Sequence, residues 1–152
     1  SKNKKVKINN ISSTRPWQHV LEPISGYLHL GSVLNLNKKI NFESFNFGPK
    51  SDQNFNVKEL LKEMKKYWPN SEWKTNSKKK LFKESKLLKL NIDKSMIELN
   101  WYPVLEFNKT IEMTIKWYIQ FYKNSNKCKS FSINQIDEYT ELAKEKNTIW
   151  SK

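Results

Sequence analysis

The residues best suited to do chemistry lie in one short run, Arg15-Pro16-Trp17-Gln18-His19, directly before a predicted helix. An arginine guanidinium can bind a diphosphate through two parallel hydrogen bonds, and the N–H groups at a helix N-terminus add a favourable dipole. The run therefore predicts an anion site at Arg15. It also permits a structural alternative, in which Arg15 bonds backbone carbonyls of a loop, Trp17 belongs to the core and His19 is a hydrogen-bonded polar neighbour.

Motifs for several other chemistries are missing. Three glycines, Gly26, Gly31 and Gly48, cannot form a glycine-rich phosphate loop of the dinucleotide or P-loop kind. No tyrosine is followed four residues later by lysine, no nucleophile elbow is present, and Cys128 is the one cysteine. An internal disulfide and a thiolate metal site are therefore excluded. On its own residues the chain is not a complete enzyme, and we assign it no catalytic, cofactor-binding or metal-binding residue.

The charge balance of the 152 residues would normally indicate nucleic acid or an anionic surface, since 28 basic residues face 15 acidic ones for a net charge of +13. All basic residues except Arg15 are lysines, however, whereas specific nucleic-acid readers rely on arginine. A joint excess of lysine, asparagine and isoleucine is typical of proteins from an A+T-rich genome. Nucleic acid is therefore not the expected partner. The alternative function is a binding module for RNA or acidic polysaccharide that uses Lys78-Lys79-Lys80 with Trp73.

Length and hydropathy place the chain among single-domain proteins. The sequence holds enough aromatic residues, 13 %, for a hydrophobic core, and 152 residues suit one domain. No apolar run approaches the roughly 20 residues of a membrane span, and the first residues carry no apolar signal core. We expect a cytoplasmic protein without a membrane partner.

Apolar spacing predicts a mixed α/β fold with a helical end. The first half should hold a strand at Val6–Ile8, a helix from Val20 to about Leu36, a buried strand ending at Phe45–Phe47, and a helix from Asn56, as N-cap, to Trp68. A lysine-rich loop follows at 71–80. The second half should hold a short strand at Leu87–Leu90, a short helix capped by Asp93, a longer helix capped by Asn108, and a last helix from about Asn134 to Lys146.

The run from Arg15 to Leu28 resembles the signature of the CDP-glucose 4,6-dehydratase family, within the extended short-chain dehydrogenase/reductase superfamily. The likeness continues along the chain in family order, in Phe45-Asn46-Phe47-Gly48-Pro49, Val57-Lys58-Glu59-Leu60, Tyr67-Trp68, Glu84, Leu88-Lys89-Leu90, Asp93-Lys94, Leu99-Asn100-Trp101-Tyr102-Pro103, Trp117-Tyr118, Gln135-Ile136 and Tyr139. It covers essentially the whole chain but only the C-terminal part of the family's protein. The chain is therefore expected to begin within a domain.

This resemblance implies a function for residues 1–152 as a C-terminal nucleotide-sugar-binding portion. Phe45–Phe47 would be a late strand of the Rossmann sheet, and the rest would form the small, mainly helical substrate domain. The missing N-terminal portion would bind NAD and carry the catalytic groups, either in the same protein or as a separate half. The family's lyase reaction converts CDP-glucose to CDP-4-keto-6-deoxyglucose and water, for deoxysugars of surface polysaccharides. The fragment alone is expected to be inactive.

The resemblance also implies six substrate-binding residues. Arg15 matches the arginine that the superfamily places on the diphosphate, and Glu84 falls where related epimerases place an acid on the ribose hydroxyls. The family has histidine before that acid, whereas this chain has Lys83, which could reach a phosphate. Trp17, Gln18 and His19 lie in the signature without separate roles. The alternative for Glu84 is a solvated acid in a lysine-rich loop.

The resemblance also implies an assembly state. The full-length protein is expected to be a homo-oligomer. A fragment separated from its sheet would expose a strand edge and the apolar faces of Phe45 and Phe47, so we expect the isolated chain to associate or to be marginally stable.

Overall fold

The computed structural model describes residues 5–75 and 87–152, and every structural statement below refers to these residues. Two short strands, β1 (Val6–Ile8) and β2 (Trp73–Thr75), accompany five α-helices. The helices are α1 (Leu21–Leu36), α2 (Val57–Tyr67), α3 (Asp93–Leu99), α4 (Phe107–Lys123) and α5 (Cys128–Glu145). Single turns of 3₁₀ helix lie at Lys38–Ile40, Ser125–Lys127 and Ile149–Ser151. The combination of helices with a small parallel sheet agrees with the predicted α/β class.

The sheet is smaller than predicted. β1 and β2 pair in parallel, with Val6 opposite Trp73 and Ile8 opposite Thr75. The predicted strand at Phe45–Phe47 is wrong for the described residues, because this segment has no ladder partner there, although Phe47 is buried as expected. The predicted strand at Leu87–Leu90 is reduced to one bridge, from Leu87 to Thr14. A late Rossmann strand therefore stays a proposal for a larger assembly.

Helix α2 begins where its sequence indicates. The Asn56 side chain accepts a hydrogen bond from the Glu59 backbone N–H at 3.0 Å, and the Asn56 N–H donates to the Glu59 carboxylate at 2.7 Å. This reciprocal pair is a capping box, which satisfies two N–H groups that the first turn leaves unpaired. Lys65 and Lys66 in the last turn complement the negative end of the helix dipole.

The predicted caps of α3 and α4 are wrong. Asp93 is the first residue of α3, and the side chain that accepts its N–H, at 2.9 Å, is that of Asn91. Asn108 lies inside α4, which already begins at the buried Phe107. Helix α5 begins six residues before the predicted Asn134, because the 3₁₀ turn at Ser125–Lys127 leads directly into it.

Three apolar clusters hold these elements together. The first joins α1 to α3 around Phe47 and the fully buried Trp101. The second lies between Leu105, α4 and α5, around Met113 and Tyr139. The third lies between α2 and α4, around Phe107. Together they place the segment before α1 against the middle of α4, which is what positions the predicted site.

The exposed apolar surface is not where the sequence predicted it. Phe47 is buried and Phe45 packs against the first cluster, so neither offers an open apolar face. The outward face of α1 is apolar instead: Tyr27 and Leu28 in the helix, and Val20 directly before it, are all more than half exposed. Among the helices at 5–75 and 87–152, none is long and apolar enough to cross a membrane.

Candidate functional site

The predicted site begins with a tight turn centred on Pro16. The Trp17 backbone N–H donates to the Arg15 carbonyl at 2.9 Å, a bond between residues two apart that defines a γ-turn. Pro16 favours this turn because its ring restricts the backbone dihedral φ. The turn holds Arg15 and Trp17 close together, while their side chains line two different depressions.

Arg15 lines a narrow crevice with Lys50 and Lys89. The Arg15 Nη1 donates to the Thr14 carbonyl at 2.7 Å, and the Lys89 Nζ donates to the Ser51 carbonyl at 2.9 Å. The structural alternative for Arg15 is thus present in part. A guanidinium carries five N–H donors, and the bond to Thr14 uses one of them.

Lys50 reaches the crevice from the loop after Gly48-Pro49. Its Nζ lies 3.5 Å from the Glu106 carboxylate, which also accepts a hydrogen bond from Gln53 at 2.6 Å. Three cationic residues therefore line the crevice, and the Glu106 carboxylate pairs with one of them. The open volume of the crevice is about 10 Å³, room for about one water. A phosphate could bind only at the mouth of the crevice, and any ring attached to it would lie elsewhere.

Trp17 is mainly a packing residue. Its Nε1 donates to the Phe55 carbonyl at 2.8 Å, and its ring packs against the cluster around Phe107. Its neighbour Gln18 donates from Nε2 to the Phe47 carbonyl at 3.2 Å. The Gln18 Oε1 is buried and has no hydrogen-bond partner among the described residues.

His19 is buried, with only 5 % of its surface exposed. Its Nδ1 accepts the Leu21 backbone N–H at 3.3 Å, so this ring nitrogen is unprotonated. Burial lowers the pKa of His19 because desolvation disfavours the imidazolium. His19 is therefore a neutral side chain at pH 7.

Two wide clefts lie on either side of Gln18. The aromatic cleft, of about 890 Å³, is walled by Trp17, Trp68, Tyr118 and Tyr122. The α4–α5 cleft, of about 450 Å³, is lined by the Gln18–Leu21 segment and by residues of α4 and α5. Gln18, Thr114 and Tyr118 line both clefts. The predicted residues Trp17, Gln18 and His19 thus follow one another along a trench across α4.

Glu22 is a central residue that sequence reasoning did not single out. Its carboxylate is 1 % exposed and accepts the backbone N–H groups of Val104, at 2.9 Å, and Leu105, at 2.5 Å. The Tyr139 hydroxyl donates to it at 3.0 Å. Burial raises the pKa of Glu22 even though these hydrogen bonds oppose the change. Glu22 therefore joins α1 to the segment before α4 and to α5. The signal in the sequence was an acid within an apolar helical stretch.

The Glu22 network extends to Ser25 and Trp101. The Ser25 and Tyr139 hydroxyls lie 3.0 Å apart, and the Trp101 Nε1 donates to the Ser25 Oγ at 3.2 Å. Burial and the neighbouring Glu22 charge both raise the pKa of Tyr139, so its hydroxyl keeps its proton. These groups stabilise the fold and are enclosed by it.

The remaining predicted residues lie outside the described ones. Lys83 and Glu84, and the Lys78-Lys79-Lys80 cluster of the alternative function, belong to 76–86. Trp73 lies just before that segment, and the Lys65 Nζ sits 5.2 Å from its ring centroid. One face of Trp73 is thereby covered, which weakens the case for base stacking on it.

The described residues do not fit NAD. Gly26 and Gly31 lie inside α1, and Gly48 packs against Leu90, so none of them forms a glycine-rich loop between a strand and a helix. The described sheet has two strands, too few for the doubly wound sheet that binds a dinucleotide. No group of three metal-ligating side chains occurs at 5–75 and 87–152.

Comparison with known proteins reveals a distant relationship. No protein-family model matches the chain. The chain is 32 % identical over 117 residues to CDP-glucose 4,6-dehydratase of Salmonella typhimurium strain LT2. The match covers 76 % of this chain and 32 % of the relative, so the chain spans about a third of the length of the protein it matches. The chain is thus distantly related to a nucleotide-sugar dehydratase.

Proposed function

We propose that this chain is the nucleotide-sugar-binding portion of a dehydratase that acts on CDP-glucose or a related nucleotide sugar. The observation that carries the proposal is that Arg15, Lys50 and Lys89 line one crevice. The distant relationship supports the sugar-nucleotide class of ligand.

The charge of the crevice suits a diphosphate. Arginine binds phosphate oxygens bidentately, and a lysine ammonium adds a compact positive charge. Because the crevice is narrow, the diphosphate would lie at its mouth, with one end of the nucleotide sugar directed toward Trp17 and Gln18. The trench then offers room for the uncharged parts of the ligand.

The role of the chain in the reaction would be to hold and orient the substrate. The net reaction is loss of water from the sugar, and family members bring NAD to it. Since the described residues do not fit NAD, we assign no hydride or proton transfer to them. A portion carrying NAD, in the same protein or in a second chain, would complete the enzyme, and an oligomer of the complete enzyme belongs to the same proposal.

Thermal unfolding with and without CDP tests the proposal. CDP should raise the melting temperature of the parent chain, and Arg15→Ala should abolish the increase. Lys62→Ala is the matched control, since Lys62 is an exposed lysine of α2 that lines none of the three depressions. Its CDP response should equal that of the parent.

Binding of an arbitrary RNA under the same conditions tests the alternative function. Tight, salt-sensitive RNA binding without any effect of CDP would refute the nucleotide-sugar proposal and favour the cationic module.

A further inference from the structure

The aromatic cleft has features of a ligand site that the crevice at Arg15 does not share. Its volume, about 890 Å³, falls in the range of roughly 300–1,000 Å³ that small-molecule clefts occupy. Among its lining residues Glu72 alone is charged, and its carboxylate is paired with the Lys5 ammonium at 3.0 Å. The cleft therefore suits a ring without net charge.

Aromatic side chains form its walls. The rings of Trp68 and Tyr122 meet edge to face, with centroids 5.8 Å apart, and Tyr122 is 53 % exposed. An exposed ring at the mouth of a cleft offers a face on which a planar ligand can stack, and base–aromatic stacking does not depend on charge.

Two lining residues carry polar atoms without partners. Both Gln18 Oε1 and Ser71 Oγ are buried and unpaired among the described residues. The bond from Gln18 Nε2 to the Phe47 carbonyl fixes the orientation of the amide, so its other end is an acceptor that needs a hydrogen-bond donor. Leaving such an atom unpaired costs free energy that a ligand could recover with a small side-chain adjustment.

We propose that the aromatic cleft binds the base of the nucleotide, and that the base presents an amino edge, as cytosine does. Its exocyclic amino group would donate to Gln18 Oε1, a ring acceptor would pair with the Ser71 hydroxyl, and the ring would stack on Tyr122. The γ-turn at Pro16 holds Trp17, in the wall of this cleft, next to Arg15, where the diphosphate would lie. The inference rests on the proposed function for the diphosphate, but the cleft makes its own prediction for a nucleoside without phosphate.

Binding of cytidine, uridine and CDP to the full chain, measured by calorimetry, tests the inference. Cytidine should bind about tenfold more tightly than uridine, which presents a carbonyl where cytosine presents an amino group, and Gln18→Leu should remove the difference. Tyr122→Leu should weaken cytidine binding about tenfold. The controls are Tyr102→Leu, at a tyrosine that is 45 % exposed, and Gln120→Leu, in α4; neither residue lines the cleft. Both should bind as the parent does.

The two proposals fail in different ways. If Arg15-dependent CDP binding is unchanged in both Tyr122→Leu and Gln18→Leu, the base binds elsewhere and this inference is overturned, while the proposed function stands. If CDP binds no more tightly than cytidine and Arg15→Ala has no effect, the diphosphate site fails. Cytidine selectivity that depends on Gln18 and Tyr122 would still support the base cleft. Because Gln18→Leu also removes the bond to Phe47, Tyr122→Leu decides the case if the Gln18 variant does not fold.

Discussion

Gly26 and Phe47 are in such close contact that a β-carbon on Gly26 would lie 2.3 Å from the Phe47 ring. Gly26 is in the middle of α1, where glycine weakens a helix, so its place is explained by this contact and not by backbone freedom. The contact lets the Phe47 ring lie edge to face against Trp101, with centroids 4.9 Å apart. The closeness of α1 and the 45–48 segment therefore depends on a missing side chain.

Gly26→Ala should destabilise the fold by about 2 kcal/mol or more, because overpacking forces the Phe47 ring or the helix to move. Gly31→Ala is the matched control in the same helix, since a β-carbon there meets nothing within 4 Å. It should stabilise the fold by up to about 1 kcal/mol through helix propensity. Denaturant unfolding of both variants measures the difference. Equal effects of the two substitutions would show that the ring contact does not limit packing.

Local signals account for the elements that the sequence predicted well. β1 has alternating apolar residues, and α2 has an apolar stripe with a capping asparagine, so both were identified at their observed starts. Phe45–Phe47 has the residue types of a strand, but a strand needs a ladder partner, and none of the described residues provides one. β2 was predicted as loop because its pairing with β1 joins residues distant in sequence.

The site likewise contains residues that the sequence could predict and residues that it could not. Arg15, Trp17, Gln18 and His19 are close in sequence, so their proximity was predictable; Trp17, Gln18 and His19 line the trench, and Arg15 lines the crevice. The contributions of Lys50 and Lys89 come from other segments that meet Arg15 only after folding. The pattern could not show that Trp17 faces the core, since its partner Phe55 is also distant in sequence.

Glu22→Ala should cost about 3 kcal/mol or more, because it leaves the N–H groups of Val104 and Leu105 and the Tyr139 hydroxyl without their acceptor inside the fold. Glu141→Ala removes an exposed acid of α5 paired with Lys144, and it should change stability by less than about 0.5 kcal/mol. Urea unfolding of both variants provides the comparison. A loss in Glu22→Ala as small as that of the control would contradict a structural role for the buried carboxylate.

Stability should depend on pH through Glu22. Its pKa in the folded state is raised above the ordinary 4.5. The unfolded chain has the ordinary pKa. Between the ordinary pKa and the raised one, the folded chain retains a proton that the unfolded chain has lost. Stability therefore falls as pH rises through this interval and is level above it. The free energy of unfolding of the parent minus that of Glu22→Gln should therefore decrease from pH 4 upward. Subtracting the free energy of the variant cancels the pH dependence that Glu43 and Glu112 contribute, since lysine partners lower the pKa values of both acids. An increase in the difference with pH would contradict the expected direction.

His19 should produce a pH dependence of the opposite sign. Because burial lowers its pKa below 6.5 in the folded state, the unfolded chain takes up a proton first as pH falls. The stability contributed by a neutral His19 is present above pH 6.5 and is lost below it. His19→Asn keeps an acceptor near the Leu21 N–H but does not titrate. The parent should lose stability relative to this variant between about pH 7 and 5, and parallel unfolding curves across that range would show that His19 stays accessible to protons.

The salt dependence of affinity should distinguish binding of the diphosphate from binding of the base. If Arg15, Lys50 and Lys89 bind phosphate, CDP affinity should fall about tenfold as salt rises from about 0.01 M to 1 M, since the screening length shrinks from roughly 30 Å to 3 Å. Cytidine carries no phosphate and should bind equally at both salt concentrations. Lys89→Ala should reduce the salt dependence for CDP, because it removes one of the cations at the crevice, while Lys62→Ala should leave it as in the parent. Calorimetric titration at the two salt concentrations gives both comparisons, and equal salt dependence for CDP and cytidine would place the diphosphate away from this crevice.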